Sequence, residues 1–303
     1  MPDDPSIATA HITTATLFLP AIRAWETYLF DQGRSPYTVK AFMGDIQLLV
    51  NYLPPDRTVG SVNTNDLNHF LQWMQTGRGV PCSPKSLARR ITSIKAFFRW
   101  LNRNGVLVID PAEKVLQQSV ISPLPQVLTG KEQEKVLKAA QAYRKAKKPD
   151  ARAYTLLSLL LVTGVKKGEC LAIHLNHIDL EGPNGPLLFV RYPSLRNRYK
   201  ERKIALPTEW VEGYQEYLEQ YKPADQVFPW SPRRLEYLLE DLGRDARLTK
   251  HLSFDMCRWT SALNDLLSGL ETEKIRQKMG ISKIQWREIG TKLRQLQERS
   301  GAS

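Results

Sequence analysis

Apolar residues recur at steps of three and four through most of the chain, which is the period of helices with one buried face. The segment "SPKSLARRITSIKAFFRWLNRNG" shows it most clearly: Leu87, Ile91, Ile94, Phe98 and Leu101 fall on one stripe. Ser83 stands as N-cap, Pro84 as first helical residue, and Gly105 lies just past the end. The same pattern predicts helices in "FLPAIRAWETYLFDQG", "SPYTVKAFMGDIQLLVNYL" and "NTNDLNHFLQWMQTG", so residues 15–118 read as one helical domain. Two prolines in "QQSVISPLPQVLTG" and the loss of period predict a linker at 119–128. A new helical unit begins at "TGKEQEKVLKAAQAY", and "DARAYTLLSLLLVTG" reads as a buried helix ending at Gly164. Period-two patterning is confined to "GPLLFV" and "KIALP", two short strands. From Glu209 onward the pattern is again helical. The expected fold is mainly α with a small antiparallel sheet, in two domains, 15–118 and 129–303.

Charge sharpens this outline. The 303 residues carry a net charge of +12, which favours polyanionic partners. From Arg78 to Arg103 there are seven basic residues and no acid. A helix face of one sign repels itself, and a phosphate backbone would relieve it. Lys85, Ser86, Arg89, Arg90, Lys95 and Arg99 on this helix are therefore expected to contact DNA. A second basic stretch, "RYPSLRNRYKERKIALP", has six basic residues and one acid and surrounds the strands. It adds Arg196, Arg198, Lys200 and Arg202 as expected DNA contacts. A charged sheet edge that blocks aggregation is the competing reading.

Composition excludes several classes. No apolar run is long enough to span a membrane. The N-terminal residues, with early acids and no basic segment before an apolar core, do not read as a signal peptide. Three scattered cysteines, Cys82, Cys170 and Cys257, suit a reducing compartment and form no zinc pattern. His174 and His177 are spaced three apart with Asp179 nearby, but no further ligand is evident, so no metal is expected. The tryptophans in helical patterns, such as Trp25, Trp100 and Trp259, read as core anchors.

The order of motifs from about residue 20 to 295 resembles the tyrosine recombinases, the family of phage integrases and Xer proteins. "SPKSLARRITSIKAFFRWLNRNGVLVIDPAEKV" is similar to the end of their helical core-binding domain. "LLSLLLVTGVKKGECLAIHLNHIDL" follows their pattern of apolar helix, TGLR, small residue, Glu and Leu. "YKERKIALP" resembles their KxRxVPLP strand, "LSFDMCRWTSALNDLL" their HxLRHT helix, and "IRQKMGISKIQWREIGTKL" the segment that ends in their nucleophile. The resemblance implies two domains closing on duplex DNA and metal-free phosphoryl transfer without cofactor. In that chemistry a tyrosine attacks a phosphate, arginines hold its oxygens, and a lysine and histidines move protons.

Carried over residue by residue, the resemblance puts Lys166 at the first arginine and Asn197 at the hairpin lysine, within a residue or so. Asp255 falls at the first histidine, Arg258 at the second arginine, Ile281 at the next histidine and Gly290 at the nucleophile. All eleven tyrosines lie at or before Tyr237. The expectation is a chain that binds DNA without cutting it. Lys166, Lys167, Arg258 and Lys283 join the two basic stretches as phosphate contacts. A cytoplasmic, nucleoid-associated transcriptional regulator is expected, with RNA polymerase or an active recombinase as partner and self-association on DNA. A recombination accessory, or a strand-exchange enzyme with rebuilt or trans-supplied chemistry, is the alternative.

Overall fold

The computed structural model describes residues 11–116, 123–183 and 185–301. The chain divides into two compact units, Met1–Ser122 and Pro123–Ser303. The first unit holds α1 (Phe18–Asp31), α2 (Pro36–Tyr52), α3 (Thr64–Gln72) and α4 (Pro84–Arg103). Each later helix starts on a polar cap. Ser35 accepts from the Thr38 N–H, Asn63 and Asp66 cap one another's backbone, and Ser83 accepts from the Ser86 N–H. α3 runs on into a wider helical turn, Trp73–Gly77. The apolar stripe of α4 carries the core: Ile94, Phe97, Phe98 and Leu101 are fully buried among Trp25, Ile46, Leu49 and Phe70. Phe97 meets the Trp25 ring edge-on at 5.2 Å, a favourable aromatic geometry.

The helical reading of 15–118 extends too far. α4 ends at Arg103, Gly105 takes φ +72°, and the described residues up to 116 form turns. There the Asn102 amide donates to the Leu107 and Val108 carbonyls, and the Asp110 carboxylate accepts from the Ala112 N–H. Such side-chain bonds compete with a helical ladder. Of the expected linker at 119–128, residues 119–122 lie outside the described residues. The remainder is not a free tether: Leu124 and Val127 pack against the second unit's core, and the Leu128 N–H donates to Thr260 Oγ1 at 2.9 Å.

In the second unit α5 (Gly130–Arg144) begins at a Thr129–Glu132 capping box. α6 (Arg152–Thr163) is the buried axis and packs against α5, α8 (Thr208–Tyr221) and α10 (Phe254–Leu267). Its apolar residues run all round, as a helix enclosed by others requires. α7 (Lys167–Leu171) leads to a three-stranded antiparallel sheet, β1 (Ile178–Asp179), β2 (Leu187–Val190) and β3 (Arg202–Ala205), in that order. Leu188 stands opposite Ile178 on one side and Ile204 on the other, and Leu188 and Ile204 face the core. Between β2 and β3, Arg196, Arg198 and Lys200 lie on a tight helical turn, Leu195–Lys200, rather than along the strands. α9 (Pro232–Asp245), α11 (Thr272–Lys278) and α12 (Lys283–Gly301) complete the unit. A smaller core of Ala262, Leu263, Ile275, Met279, Ile281, Leu293 and Leu296 docks α12 onto α10 and α11 of its own chain.

Candidate DNA phosphate site

The site grows from the end of α6. Gly164 closes that helix with φ +59°, a left-handed conformation glycine adopts without strain. The chain then reverses, and Lys166 stands just before α7. One turn later the Glu169 carboxylate reaches back and accepts the Lys166 backbone N–H at 2.8 Å.

Glu169 is the hub. Only 3% of its side chain is exposed, and Arg202 of β3 grips it with two N–H bonds of 3.0 and 2.9 Å. The Tyr192 hydroxyl donates to the same carboxylate. Burial pushes the Glu169 pKa up, but the bonds from Arg202, Tyr192 and the Lys166 backbone outweigh it and hold the group at about 2. Arg202 also donates to the Lys278 carbonyl at 2.6 Å and the Lys200 carbonyl at 3.1 Å. One ion pair thus ties α7, β3 and the end of α11 together.

Arg258, in the first turns of α10, is buried and donates to the Gly164 and Met279 carbonyls. A guanidinium has five N–H donors, so these bonds leave capacity for an anion. Burial and, to a lesser degree, Arg202 bring its pKa down to about 10 against the opposing pull of Glu169, Asp255 and Tyr192, so it is still charged at neutral pH. Lys166 Nζ donates to the Gly280 carbonyl at 3.3 Å. Burial lowers the Lys166 pKa to about 8; Glu169 opposes the shift, while Arg258, Lys200 and Arg202 add to it.

Lys166, Lys167 and Arg258 line one cavity of about 650 Å³, together with Asp255, Ser253, His251, Glu236 and Glu240. Two of the cations or potential cations are held by carboxylates of α9. Lys167 pairs with Glu236 at 2.7 Å and His251 with Glu240 at 2.9 Å. The cavity can bind a phosphate if those carboxylates yield their partners.

The structure brings Lys166, Asp255 and Arg258 into this cavity. Asn197 lies on the β2–β3 turn, and Lys200 Nζ donates to its side-chain oxygen at 2.7 Å. A lysine ammonium therefore stands beside the position where the resemblance puts one, displaced by three residues. Lys200 also sits over the Tyr192 ring at 5.7 Å. Ile281 is buried in the small core. Gly290 is buried in α12, where a Cβ would come within 3.1 Å of the Trp286 indole. Neither lines the cavity. Lys283, Arg196 and Arg198 are exposed.

Two expected contacts are corrected by burial. Arg202 has 8% of its side chain exposed and is committed to Glu169 and two carbonyls, so it is a positioning group. Arg90 is 13% exposed and turned toward Cys82 and the buried Asp45 carboxylate, at 3.6 Å from the latter. Arg89 reaches Asp45 as well, and Ser93 donates to it at 2.7 Å. The acid missing from α4 comes from α2. Lys85 and Arg99 are exposed, Lys95 donates to the Glu113 carbonyl at 3.3 Å, and Ser86 bonds the Ser83 cap at 2.9 Å. Among the described residues no group of three potential metal ligands occurs. His174 pairs with Asp225 rather than the neighbouring Asp179. Glu169, Tyr192, Glu236, Glu240 and His251 were missed by sequence reasoning; Glu169 alone had a signal, its place in the TGVKKGE motif.

Residues 22–105 match the family model described as the phage integrase N-terminal SAM-like domain. Tyrosine recombinase XerD of Listeria innocua is 23% identical over 282 residues, covering 88% of this chain and 92% of that protein. Tyrosine recombinase XerC of Lacticaseibacillus casei is 26% identical over 283 residues, covering 89% and 93%. Among solved structures, the XerH site-specific recombinase bound to a palindromic difH substrate matches with TM-score 0.72 and 14% identity over 98% of this chain and 92% of that one. A lambda integrase tetramer bound to a Holliday junction matches with TM-score 0.69 and 16% identity over 93% and 79%. The structural likenesses show the fold.

The expectation of a chain without enzymatic activity is overturned by these relatives. Proteins matching nearly nine-tenths of the chain are named as recombinases, an enzymatic class, and the fold that carries the changed positions is intact. A transcriptional regulator partnered by RNA polymerase finds no support among them. Among the described residues no helix is long and apolar enough to cross a membrane.

Proposed function

Because the chain belongs to the tyrosine recombinase family, we propose that it acts on duplex DNA in strand exchange, holding one backbone phosphate in the Lys166–Arg258 cavity. The observation that carries this reading is the convergence of Lys166, Lys167 and Arg258 on one cavity whose walls the buried Glu169–Arg202 pair fixes. Cations fixed before the reaction stabilise charge that builds on a phosphate during attack. Lys166, with a pKa near 8, is mostly protonated at neutral pH and able to give its proton to a leaving oxygen.

The attacking hydroxyl is assigned to a partner recombinase. No tyrosine follows Tyr237 in this chain, and Gly290 stands where the family's nucleophile falls. Tyr192 is close to the site, but burial and its bond to Glu169 push its pKa well above the usual range, which suits a positioning role. Assembly with another protomer is supported by the lambda integrase tetramer on a Holliday junction, to which this fold is similar.

The test mixes this protein with an active recombinase of its own cell on a suicide-nicked duplex carrying their shared site. Covalent protein–DNA adduct should require both proteins and fall at least a hundredfold with Arg258→Ala. Adduct that needs this protein but not Arg258 would make it an architectural partner. Failure to retard any duplex at low salt would sink the DNA-binding reading itself.

A further inference from the structure

A second cavity of about 640 Å³ lies beside the β2–β3 connection, lined by His174, His177, Arg191, Tyr192, Arg198 and Glu201 among others. We propose that it is a second phosphate-binding site, separate from the Lys166–Arg258 cavity, in which two imidazoles and two guanidiniums receive a phosphate group.

The histidines flank the short turn Leu175–His177, with ring centroids 5.1 Å apart and planes at 70°. His177 Nδ1 accepts the His174 backbone N–H at 3.2 Å. A neutral His177 ring therefore carries its proton on Nε2, which makes that nitrogen a donor. His174 Nδ1 lies 2.9 Å from the Asp225 carboxylate, which accepts its proton and leaves Nε2 able to gain another. Second-layer carboxylates of this kind fix the orientation of an imidazole. The loop from β2 adds Arg191 and Arg198, both exposed and, among the described residues, without a carboxylate at ion-pair distance. Arg191 rests its guanidinium 5.6 Å over the Phe189 ring, which orients it without neutralising it.

The acids facing this group are Glu201 and Asp225. Glu201 is occupied by the Tyr192 backbone N–H at 2.9 Å, and Asp225 by His174. With both imidazoles neutral the charges balance; with both protonated the cavity carries two net positive charges. Burial, His174 and Arg191 lower the proton affinity of His177, with Asp225 opposing. An entering phosphate reverses that preference, so binding takes up protons and tightens as pH falls. The volume falls in the range that holds a phosphate with a sugar or base attached. Tyr192 lines this cavity and donates to Glu169, which accepts the Lys166 backbone N–H, but no residue lines both cavities.

The site would take either a free phosphate or a phosphate of the DNA backbone. Both are tested on the full chain by following the histidine ring signals by NMR at constant ionic strength. One arm titrates inorganic phosphate and the other a short duplex. Saturable shifts of His174 and His177 are expected, with affinity rising roughly tenfold from pH 8 to pH 6 for about half a proton taken up on average. Shifts with inorganic phosphate identify a site for free phosphate; shifts with the duplex alone identify the backbone. Arg191→Ala with Arg198→Ala should abolish them, and both side chains are surface groups whose loss spares the core. In the inorganic phosphate arm Lys166→Ala, which removes a cation of the first cavity only, should leave them in place. The proposal is overturned if neither probe shifts these rings, if the shifts survive loss of both arginines, or if affinity is flat between pH 8 and pH 6.

Discussion

Glu169 and Arg202 meet through two parallel hydrogen bonds of 3.0 and 2.9 Å, with 3% and 8% of their side chains exposed. Removing one partner leaves the other as an uncompensated buried charge. Arg202→Met and Glu169→Gln should each destabilise the second unit by about 3–5 kcal/mol. The double variant should lose clearly less than the sum, as coupled sites do. Urea denaturation of all four proteins gives the coupling energy directly; simple additivity would show the pair is not the clamp.

The same carboxylate makes stability pH-dependent in acid. Its folded pKa of about 2 lies below the unfolded value of 4.5. The unfolded chain therefore binds a proton first as pH falls. The stabilisation is fully present above pH 4.5 and is lost as pH falls toward 2, by roughly 3 kcal/mol. The difference in unfolding free energy between wild type and Glu169→Gln, followed from pH 6 to pH 2.5, should shrink across that window.

Lys166 works in the opposite range. Its folded pKa of about 8 lies below the ordinary 10.5, so stability rises with pH between those values as the buried ammonium loses its proton. Phosphate affinity runs the other way, because the neutral amine attracts no anion. DNA affinity at fixed ionic strength should fall between pH 7.5 and pH 9.5, with a midpoint at or above 8 because bound phosphate favours the charged form. Lys166→Arg should flatten that profile, since a guanidinium stays protonated throughout.

On α4, Lys85 and Arg90 should separate cleanly. Lys85 is exposed and Arg90 is turned inward toward Asp45. Lys85→Ala should weaken binding to all sequences alike and reduce the slope of log affinity against log salt by about 1. Arg90→Ala should leave the slope unchanged and lower the unfolding midpoint of the first unit. A changed salt slope for Arg90→Ala would return it to the DNA-facing set.

Gly280 is the tightest point of the cluster. It takes φ +59°, its carbonyl accepts from Lys166, and a Cβ there would stand 2.5 Å from the Arg202 guanidinium. Arg202 is pinned by Glu169 and cannot swing aside. Gly280→Ala should therefore cost about 1–3 kcal/mol in backbone strain alone, read as a lowered Tm, and reduce DNA affinity through the displaced Lys166.

The sequence alone marked the helices through their periodicity, and the start of α4 through Ser83 and Pro84, because both signals act within a few residues. It also marked Lys166 and Arg258, which stand in ordered motifs, and two of the three strands, β2 and β3, which run four residues each; β1, with two residues, is too short to show a period. It took residues 104–116 for helix because side-chain bonds from Asn102 and Asp110 do not register in an apolar pattern, although Val106, Leu107, Ala112 and Val115 still pack into the first unit's core. Tertiary structure decided what each charge does. A row of basic residues reads as one surface until folding brings Asp45 to Arg89 and Arg90, Glu169 to Arg202, and Asp225 to His174. Lys200 comes to stand beside Asn197 only because that segment coils into a turn. Charges act through space over a few ångströms, and separation along the chain carries no record of that distance.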